Sequence, residues 1–439
     1  MYLPPNIILC IQALERSGHT AYAVGGCVRD HLLGLTPHDY DLCTNAKPNQ
    51  IKEIFSQYPL VLAGEKHGTV GVVTPGGVVE ITTFRTEGAY LDNRHPDSVD
   101  FVDRVEEDLS RRDFTVNAMA YSPKEGLIDP FGGQDDLKNH ILRAVGDPAT
   151  RFQEDALRIL RGVRFAVRFQ LIPDPETKVA MVNLAPLMEN LARERVFDEL
   201  CKLLPLVTAR DLLAFAPVIT QVIPELQPCI GFDQHNPHHI YDVFTHTAHV
   251  TEATPACLPL RWAALLHDIS KPATFHLDEK GCGHFYGHAK ESARMADSIL
   301  LRLKAPTALR QQVVLLTEQH MTLIPPEKKA VRRWLSRLGE ENFTALLALQ
   351  EADMGSKSTE VPAEISQFAK LRQLMEQIRA ENACLSVKDL AVNGHDLMDL
   401  GLSGRQIGQT LQHLLEMVMD ERLPNEPSAL LTAAKDMEF

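Results

Sequence analysis

The stretch Ala23–Thr44, AVGGCVRDHLLGLTPHDYDLCT, decides how this chain is read. Ala21 to Val24 reads as a short strand, Gly25 and Gly26 as a turn, and Val28 to Leu33 as a short helix. Glycines at a strand-to-helix turn let backbone N–H groups come close to a phosphate chain. Arg29, one turn into the helix, offers a planar fork of donors to phosphate oxygens. The next expected strand, Asp39-Tyr40-Asp41-Leu42, puts both carboxylates on one face, because alternate strand residues point the same way. Two such carboxylates repel each other unless a cation lies between them, and Mg²⁺ carried with substrate phosphates meets that need.

Two more segments carry the same chemistry. One is Leu109–Ala118, LSRRDFTVNA. The other is Arg151–Phe169, RFQEDALRILRGVRFAVRF, read as one amphipathic helix. Its wheel puts Glu154, Arg158, Arg161, Arg164 and Arg168 on one side and Ala156, Ile159, Leu160, Val163, Ala166 and Val167 on the other. An ordinary amphipathic helix with a solvated basic face gives the same wheel.

Together these segments resemble the class II tRNA nucleotidyltransferase and bacterial poly(A) polymerase superfamily. Its pattern of Gly-Gly-x-Val-Arg-Asp, Leu-Leu-Gly and Asp-x-Asp is met at Gly25, Gly26, Val28, Arg29, Asp30, Leu32, Leu33, Gly34, Asp39 and Asp41. The resemblance implies that Asp39 and Asp41 are catalytic and hold two Mg²⁺ ions for in-line displacement at an α-phosphorus. It also implies that Gly25, Gly26, Arg29 and Arg112 hold the nucleotide. Asp155 and Arg158 would read the base, supported by Arg161 and Arg164. Glu80, in the strand-like Val78–Phe84, is a candidate third carboxylate. The implied reaction is template-independent addition of CCA to the tRNA 3′ end from CTP and ATP. A-only addition and poly(A) synthesis are the alternatives within the superfamily. The segment Thr86–Phe101 resembles a loop that CC-only members lack or shorten. The tail Val392–Leu431 resembles a tRNA-gripping tail and is mixed to acidic, unlike the basic extension of poly(A) polymerases.

A second constellation lies downstream. His246, His267-Asp268, His288, His320 and Asp353 fall in successive helix-like segments, with His284 nearby. Their order resembles the HD phosphohydrolase superfamily, which implies a metal site made of these six residues. Imidazole with carboxylate suits Mn²⁺, Ni²⁺, Co²⁺, Fe or Zn²⁺. One departure is Ser270, where that superfamily has Gly in His-Asp-x-Gly-Lys. An HD phosphohydrolase or nucleotide sensor with a degenerate head is the rival from another class, and intact Asp39 and Asp41 speak against it.

The fold expected is α+β: a small α/β nucleotidyltransferase head over 1–145, then a mostly helical remainder. That remainder divides into a base-reading and tRNA-binding neck over 146–230, an HD-type domain over 231–358 and a tRNA-binding helical tail over 359–439. A length of 439 residues supports several domains. No apolar run reaches membrane-spanning length, so no membrane partner is expected. The N-terminus reads as a helix after a Pro pair and not as a signal peptide. Eight scattered cysteines without Cys-x-x-Cys favour a reducing cytoplasm. The formal net charge of −14 runs against a nucleic-acid footprint, so any RNA contact must come from local clustering of arginine.

Overall fold

The protein is described from a computed structural model covering residues 1–87, 99–236, 239–357 and 365–437. Most of the Thr86–Phe101 loop, part of the punctuation at 227–239 and the 358/359 boundary lie outside these residues. The chain forms two compact units, Met1–Pro224 and Glu225–Phe439.

The first unit opens with α1 (Pro5–Arg16), β1 (Ala21–Val24) and α2 (Gly26–Leu32), then β2 (Asp41–Thr44) and α3 (Pro48–Ile54). There follow β3 (Leu60–Val61), β4 (Thr69–Thr74), β5 (Gly77–Thr83), β6 (Arg85–Glu87) and β7 (Val99–Phe101). Next come α4 (Val105–Ser110), β8 (Ala120–Ser122), β9 (Gly126–Ile128) and α5 (Gly133–Lys138). Among the described residues the head sheet has seven strands in the order β3-β4-β5-β2-β1-β8-β9. Only β2 and β5 run parallel; the other neighbours are antiparallel. The β4–β5 hairpin turns at Pro75-Gly76, as the Thr-Pro-Gly-Gly signal predicts. The sheet closes on an apolar cluster that includes Tyr22, Val24, Cys43, Phe84, Val105, Leu109 and Ala120.

The unit continues through β10 (Ile141–Leu142), α6 (Pro148–Glu154), α7 (Leu157–Phe169) and β11 (Ile172–Pro173). It ends with α8 (Pro175–Asn183), α9 (Arg193–Leu203), α10 (Ala209–Ala214) and α11 (Ala216–Val222). Two sequence expectations are corrected here. The second strand begins at Asp41, so Asp39 precedes it and the two aspartates do not share a strand face. The expected single helix over 151–169 is two helices. Asp155 between them has φ −140° and ψ 101°, an extended conformation that ends α6.

The second unit is helical apart from one short hairpin. It runs through α12 (Val243–Ala253), α13 (Leu258–Leu266), α14 (Lys271–Thr274), β12 (His276–Leu277), β13 (Gly283–His284), α15 (His288–Arg302) and α16 (Thr307–Gln319). After these come α17 (Lys328–Gly355), α18 (Ser366–Ala380), α19 (Gly394–Met398), α20 (Arg405–Met419) and α21 (Pro427–Lys435). Gly339 breaks the α17 geometry with φ 76°. The tail has its own apolar cluster, centred on Leu397, Leu414, Leu415 and Leu430. No helix among the described residues is long and apolar enough to cross a membrane.

Candidate active site and candidate metal centre

The head's cleft is built around the end of β1. Gly25 has φ +75°, a left-handed backbone that favours glycine, and the Arg112 guanidinium packs 2.9 Å from where a Cβ would stand. Its N–H donates to Met119 O at 3.0 Å, which pins the turn to the segment before β8. In the β1–β2 register Asp41 pairs with Val24, the residue before Gly25, so the acid sits beside the glycine turn. The parallel β2–β5 pairing sets Leu42 opposite Ile81, which brings Glu80 to the same end. Burial raises the Asp41 carboxyl above its ordinary range, the Glu80 charge raises it further, Arg112 opposes this and Asp39 adds to it. Asp41 opens to solvent at the start of β2 with two acidic neighbours, a site short of positive charge, and its all-oxygen donors suit a hard divalent cation.

A cleft of about 630 Å³ opens here. Its lining brings together Gly25, Gly26, Arg29, Asp41, Arg112, Asp155, Arg158, Arg161 and Arg164 of the expected residues, while Asp39 stands outside it. Nine arginines line it against three aspartates, which answers the global charge of −14 with a locally positive surface.

Those arginines are held by a framework that sequence reasoning missed. Asp113 accepts from Arg161 Nε and Nη2 at 2.9 and 2.7 Å and from Asn117 Nδ2 at 3.0 Å. Asn117 Oδ1 in turn accepts from Arg29 Nη1, and Arg29 also grips Asp30. Burial alone would raise the Asp113 carboxyl, but Arg161 and Asn117 outweigh it and hold it at about 2. One buried carboxylate thus fixes both Arg161 on α7 and, through Asn117, Arg29 on α2. Buried Asp108 does the same for Arg111 and Arg112, at 2.8 and 3.3 Å.

The expected base-reading pair is partnered differently. Asp155 accepts from Arg195 Nη2 on α9 at 2.7 Å, and Arg158 donates to Glu154 at 2.6 Å and to Arg111 O at 3.0 Å. Arg164 is buried and ion-paired with Glu199 at 2.6 Å. The arginine face is therefore largely covered and positioned, not solvated. Phe165 lies under Arg29, Arg161 and Arg164, with guanidinium carbons 5.4, 5.2 and 4.4 Å from its ring centre. Asp113 and Asn117 lie within the quoted LSRRDFTVNA, where a search for shared spacing could have found them. Arg195 had no such signal.

Similarity to known proteins decides the family. Residues 21–143 match the model of the poly A polymerase head domain. Residues 170–227 match a probable RNA- and SrmB-binding site of polymerase A, and residues 284–434 match tRNA nucleotidyltransferase domain 2. The CCA-adding enzyme of Levilactobacillus brevis is 34% identical over 97% of this chain and 96% of its own length. That of Latilactobacillus sakei is 33% identical over 97% and 96%. The chain belongs to the CCA-adding enzymes. It is a nucleotidyltransferase that adds CCA to tRNA, and enzymes of this family use divalent metal ions. The crystal structure of the Bacillus stearothermophilus CCA-adding enzyme in complex with CTP has the same fold, with a TM-score of 0.74 and 28% identity over 98% of this chain and 97% of that one.

The second unit gathers all six expected His/Asp residues. His246 Nε2 lies 3.0 Å from Asp353 Oδ1 and 3.6 Å from Asp268 Oδ2. His267, His288 and His320 point Nε2 at Asp268 from 3.2, 3.3 and 3.7 Å. Each of these three commits Nδ1 to a backbone carbonyl: Ala264 O at 2.7 Å, Phe285 O at 2.8 Å and Thr317 O at 2.7 Å. That bond orients each ring with Nε2 turned inward, where it becomes a metal ligand once it carries no proton. Their Nε2 atoms are buried without a well-formed hydrogen bond to any described residue. Two overlapping ligand triads result, His246/His267/Asp268 and Asp268/His288/His320. Such donors fit a borderline transition metal. Burial would raise Asp268, but His267 and Lys271 hold it well below the carboxylate range. The departure at Ser270 has a structural reason. Its hydroxyl donates to His288 O at 2.9 Å and meets Ser292 Oγ at 2.9 Å, which ties the His-Asp segment to α15.

Proposed function

We propose that the head extends the tRNA 3′ end from CTP and ATP with Mg²⁺ held at Asp39 and Asp41, in the cytoplasm. The observation that carries this is the meeting of Asp41, the Gly25-Gly26 turn and nine arginines in one cleft. Mg²⁺ bound there supplies activation of the 3′-hydroxyl and stabilisation of the leaving pyrophosphate. Gly25, Gly26 and Arg29 hold the triphosphate, and Arg112 adds a charge beside them. Asp155 accepts from the exocyclic amine that cytosine and adenine share, with Arg195 fixing its orientation. Arg158, anchored by Glu154, donates to ring acceptors. Arg161 and Arg164 act as supports, each locked to a buried carboxylate. The neck over 146–230 and the tail over 359–439 carry the rest of the tRNA. The test uses tRNA ending at its discriminator nucleotide, incubated with CTP, ATP or both and resolved on a sequencing gel. Two residues should be added with CTP alone and three with both. Addition from ATP alone, or a run of adenylates, would replace this reading with A-only addition or poly(A) synthesis.

A second reading is favoured by the inward Nε2 atoms of His267, His288 and His320. His246, His267, Asp268, His288, His320 and Asp353, within 231–358, hold one or two ions of Mn²⁺, Ni²⁺ or Co²⁺ for phosphoester hydrolysis, with a 2′,3′-cyclic phosphate at an RNA end as candidate substrate. The ion supplies Lewis acidity and a bound water of lowered pKa. The residues orient it, and Lys271 and Lys357 balance the charge of Asp268 and Asp353 at 2.7 and 3.0 Å. Combined His267→Ala and Asp268→Ala should remove metal-dependent hydrolysis and leave CCA addition nearly unchanged. Wild-type protein without bound metal or hydrolysis under any of these ions ends this reading.

A further inference from the structure

The short hairpin between α14 and α15 has a chemistry that neither site uses. In the β12–β13 register His276 faces His284, and Asp278 N donates to Cys282 O at 3.0 Å, so Asp278 stands opposite Cys282. Side chains alternate along a strand, and directly opposed residues of an antiparallel pair share a face. His276, Asp278, Cys282 and His284 therefore sit on one face of the hairpin. The ligand atoms of Asp278, Cys282 and His284 lie within 4.8 Å of one another. Sulfur, imidazole and carboxylate on one small face form the donor set of a borderline cation.

We propose that this hairpin binds Zn²⁺ through Asp278, Cys282 and His284, with His276 completing a tetrahedron. Bonds of about 2.0–2.3 Å set ligand atoms roughly 3.3–3.8 Å apart in such a site, so the present triad closes by at most about 1.5 Å. Asp278 Oδ2 and His284 Nε2 already meet at 3.0 Å. Oδ1 of the same carboxylate accepts from the N–H of Lys280 and of Cys282, both at 2.9 Å, which fixes the acid before any ion arrives. The hairpin is itself anchored. A Cβ at Gly283 would lie 2.1 Å from Gln234 O, and Gly283 N donates to His235 O at 2.8 Å. On binding, the Cys282 thiol loses its proton to solvent and the sulfur takes the ion as thiolate. The ion staples the strand that feeds Phe285 and His288, whose Nδ1 rests on Phe285 O.

Cobalt separates this site from the buried centre. The buried centre offers only nitrogen and oxygen. Full-length protein titrated with Co²⁺ should therefore develop a thiolate-to-cobalt charge-transfer band that Cys282→Ser abolishes. The combined His267→Ala and Asp268→Ala variant should keep it. Zn²⁺ should slow iodoacetamide labelling of Cys282 at least about tenfold while exposed Cys257 labels at its usual rate. His284→Gln and His276→Ala should each weaken Zn²⁺ binding at least about tenfold. A wild-type protein with no thiolate band, a band that survives Cys282→Ser, or unchanged Cys282 labelling in Zn²⁺ overturns the proposal.

Discussion

The first unit's cleft and the second unit's histidine cluster both bury charge, and they lack opposite things. The cleft brings in cations on its own chain and ties several of them to carboxylates: Arg161 to Asp113, Arg195 to Asp155, Arg158 to Glu154 and Arg164 to Glu199. What it still lacks is a polyanion for its surplus arginines and a hard cation for the acid pair around Asp41. In the histidine cluster His267, His288 and His320 each spend Nδ1 on a carbonyl three residues back, which turns Nε2 inward, while His246 Nδ1 faces Ser356 O. What the cluster would take is one or two borderline cations. The two sites should therefore fail independently, under different metals and different substitutions.

The largest effect should come from removing the acid that no neighbour can replace. Asp41→Ala should lower CCA addition by at least about a thousandfold while metal content at the histidine cluster stays unchanged. Single-turnover extension of tRNA, with metal analysis of the same sample, checks both halves. Turnover within tenfold of wild type would remove Asp41 from the chemistry.

Next comes the hidden framework. Asp113→Ala leaves Arg161 and Asn117 without their acceptor. Arg161 is about a third exposed, so water recovers part of the loss and the expected cost is about 2–3 kcal/mol of stability. Because Asn117 also holds Arg29, nucleotide affinity should fall with it. Denaturant melts and ATP binding measure the two effects. A stable variant with normal ATP affinity would mean that the arginines position themselves.

Asp113 also marks how far the sequence could be read. The glycine turn and the Asp41 strand were legible because their signals are local: a Gly-Gly pair after an apolar run, and acids spaced two apart before Leu42-Cys43. The six His and Asp residues of the second unit were legible through their order along the chain, which resembles the HD phosphohydrolase superfamily. Strand register was not legible. The expected strand began two residues early, and only pairing of Val24 with Asp41 fixes where β2 starts. The helix break at Asp155 was invisible for a related reason. Helical periodicity runs through it on both sides, yet Asp155 is extended there and accepts from Leu157 N at the start of α7 and from Arg195, 40 positions on.

That distant bridge sets a smaller test. If Arg195 only orients Asp155, Arg195→Ala and Asp155→Ala should relax selection against UTP and GTP by a similar amount, about 1–2 kcal/mol, and the double variant should add little more. Misincorporation assays on tRNA lacking its final nucleotide read this directly. Additive losses would show two separate roles.

The smallest effect concerns pH and separates the acid cluster from the arginines around it. Burial and the Glu80 charge raise the Asp41 carboxyl, so it keeps its proton to a higher pH than a free aspartate. An incoming cation must displace that proton. At limiting Mg²⁺, transfer should therefore decline on the acid side at a pH above the ordinary carboxylate range. Glu80→Gln removes one negative neighbour, lowers the Asp41 pKa and should move this limb downward. The sign for stability is the reverse of the usual aspartate case. A raised folded-state pKa gives stability that is full below the unfolded value and lost as pH rises through the folded value. The metal-free wild type should thus be less stable at neutral pH than Glu80→Gln, and saturating Mg²⁺ should narrow the gap. A limb that stays in place would mean that Glu80 does not act on Asp41. A plateau that falls without any movement of the limb would instead make Glu80 a ligand whose charge is already neutralised by the ion.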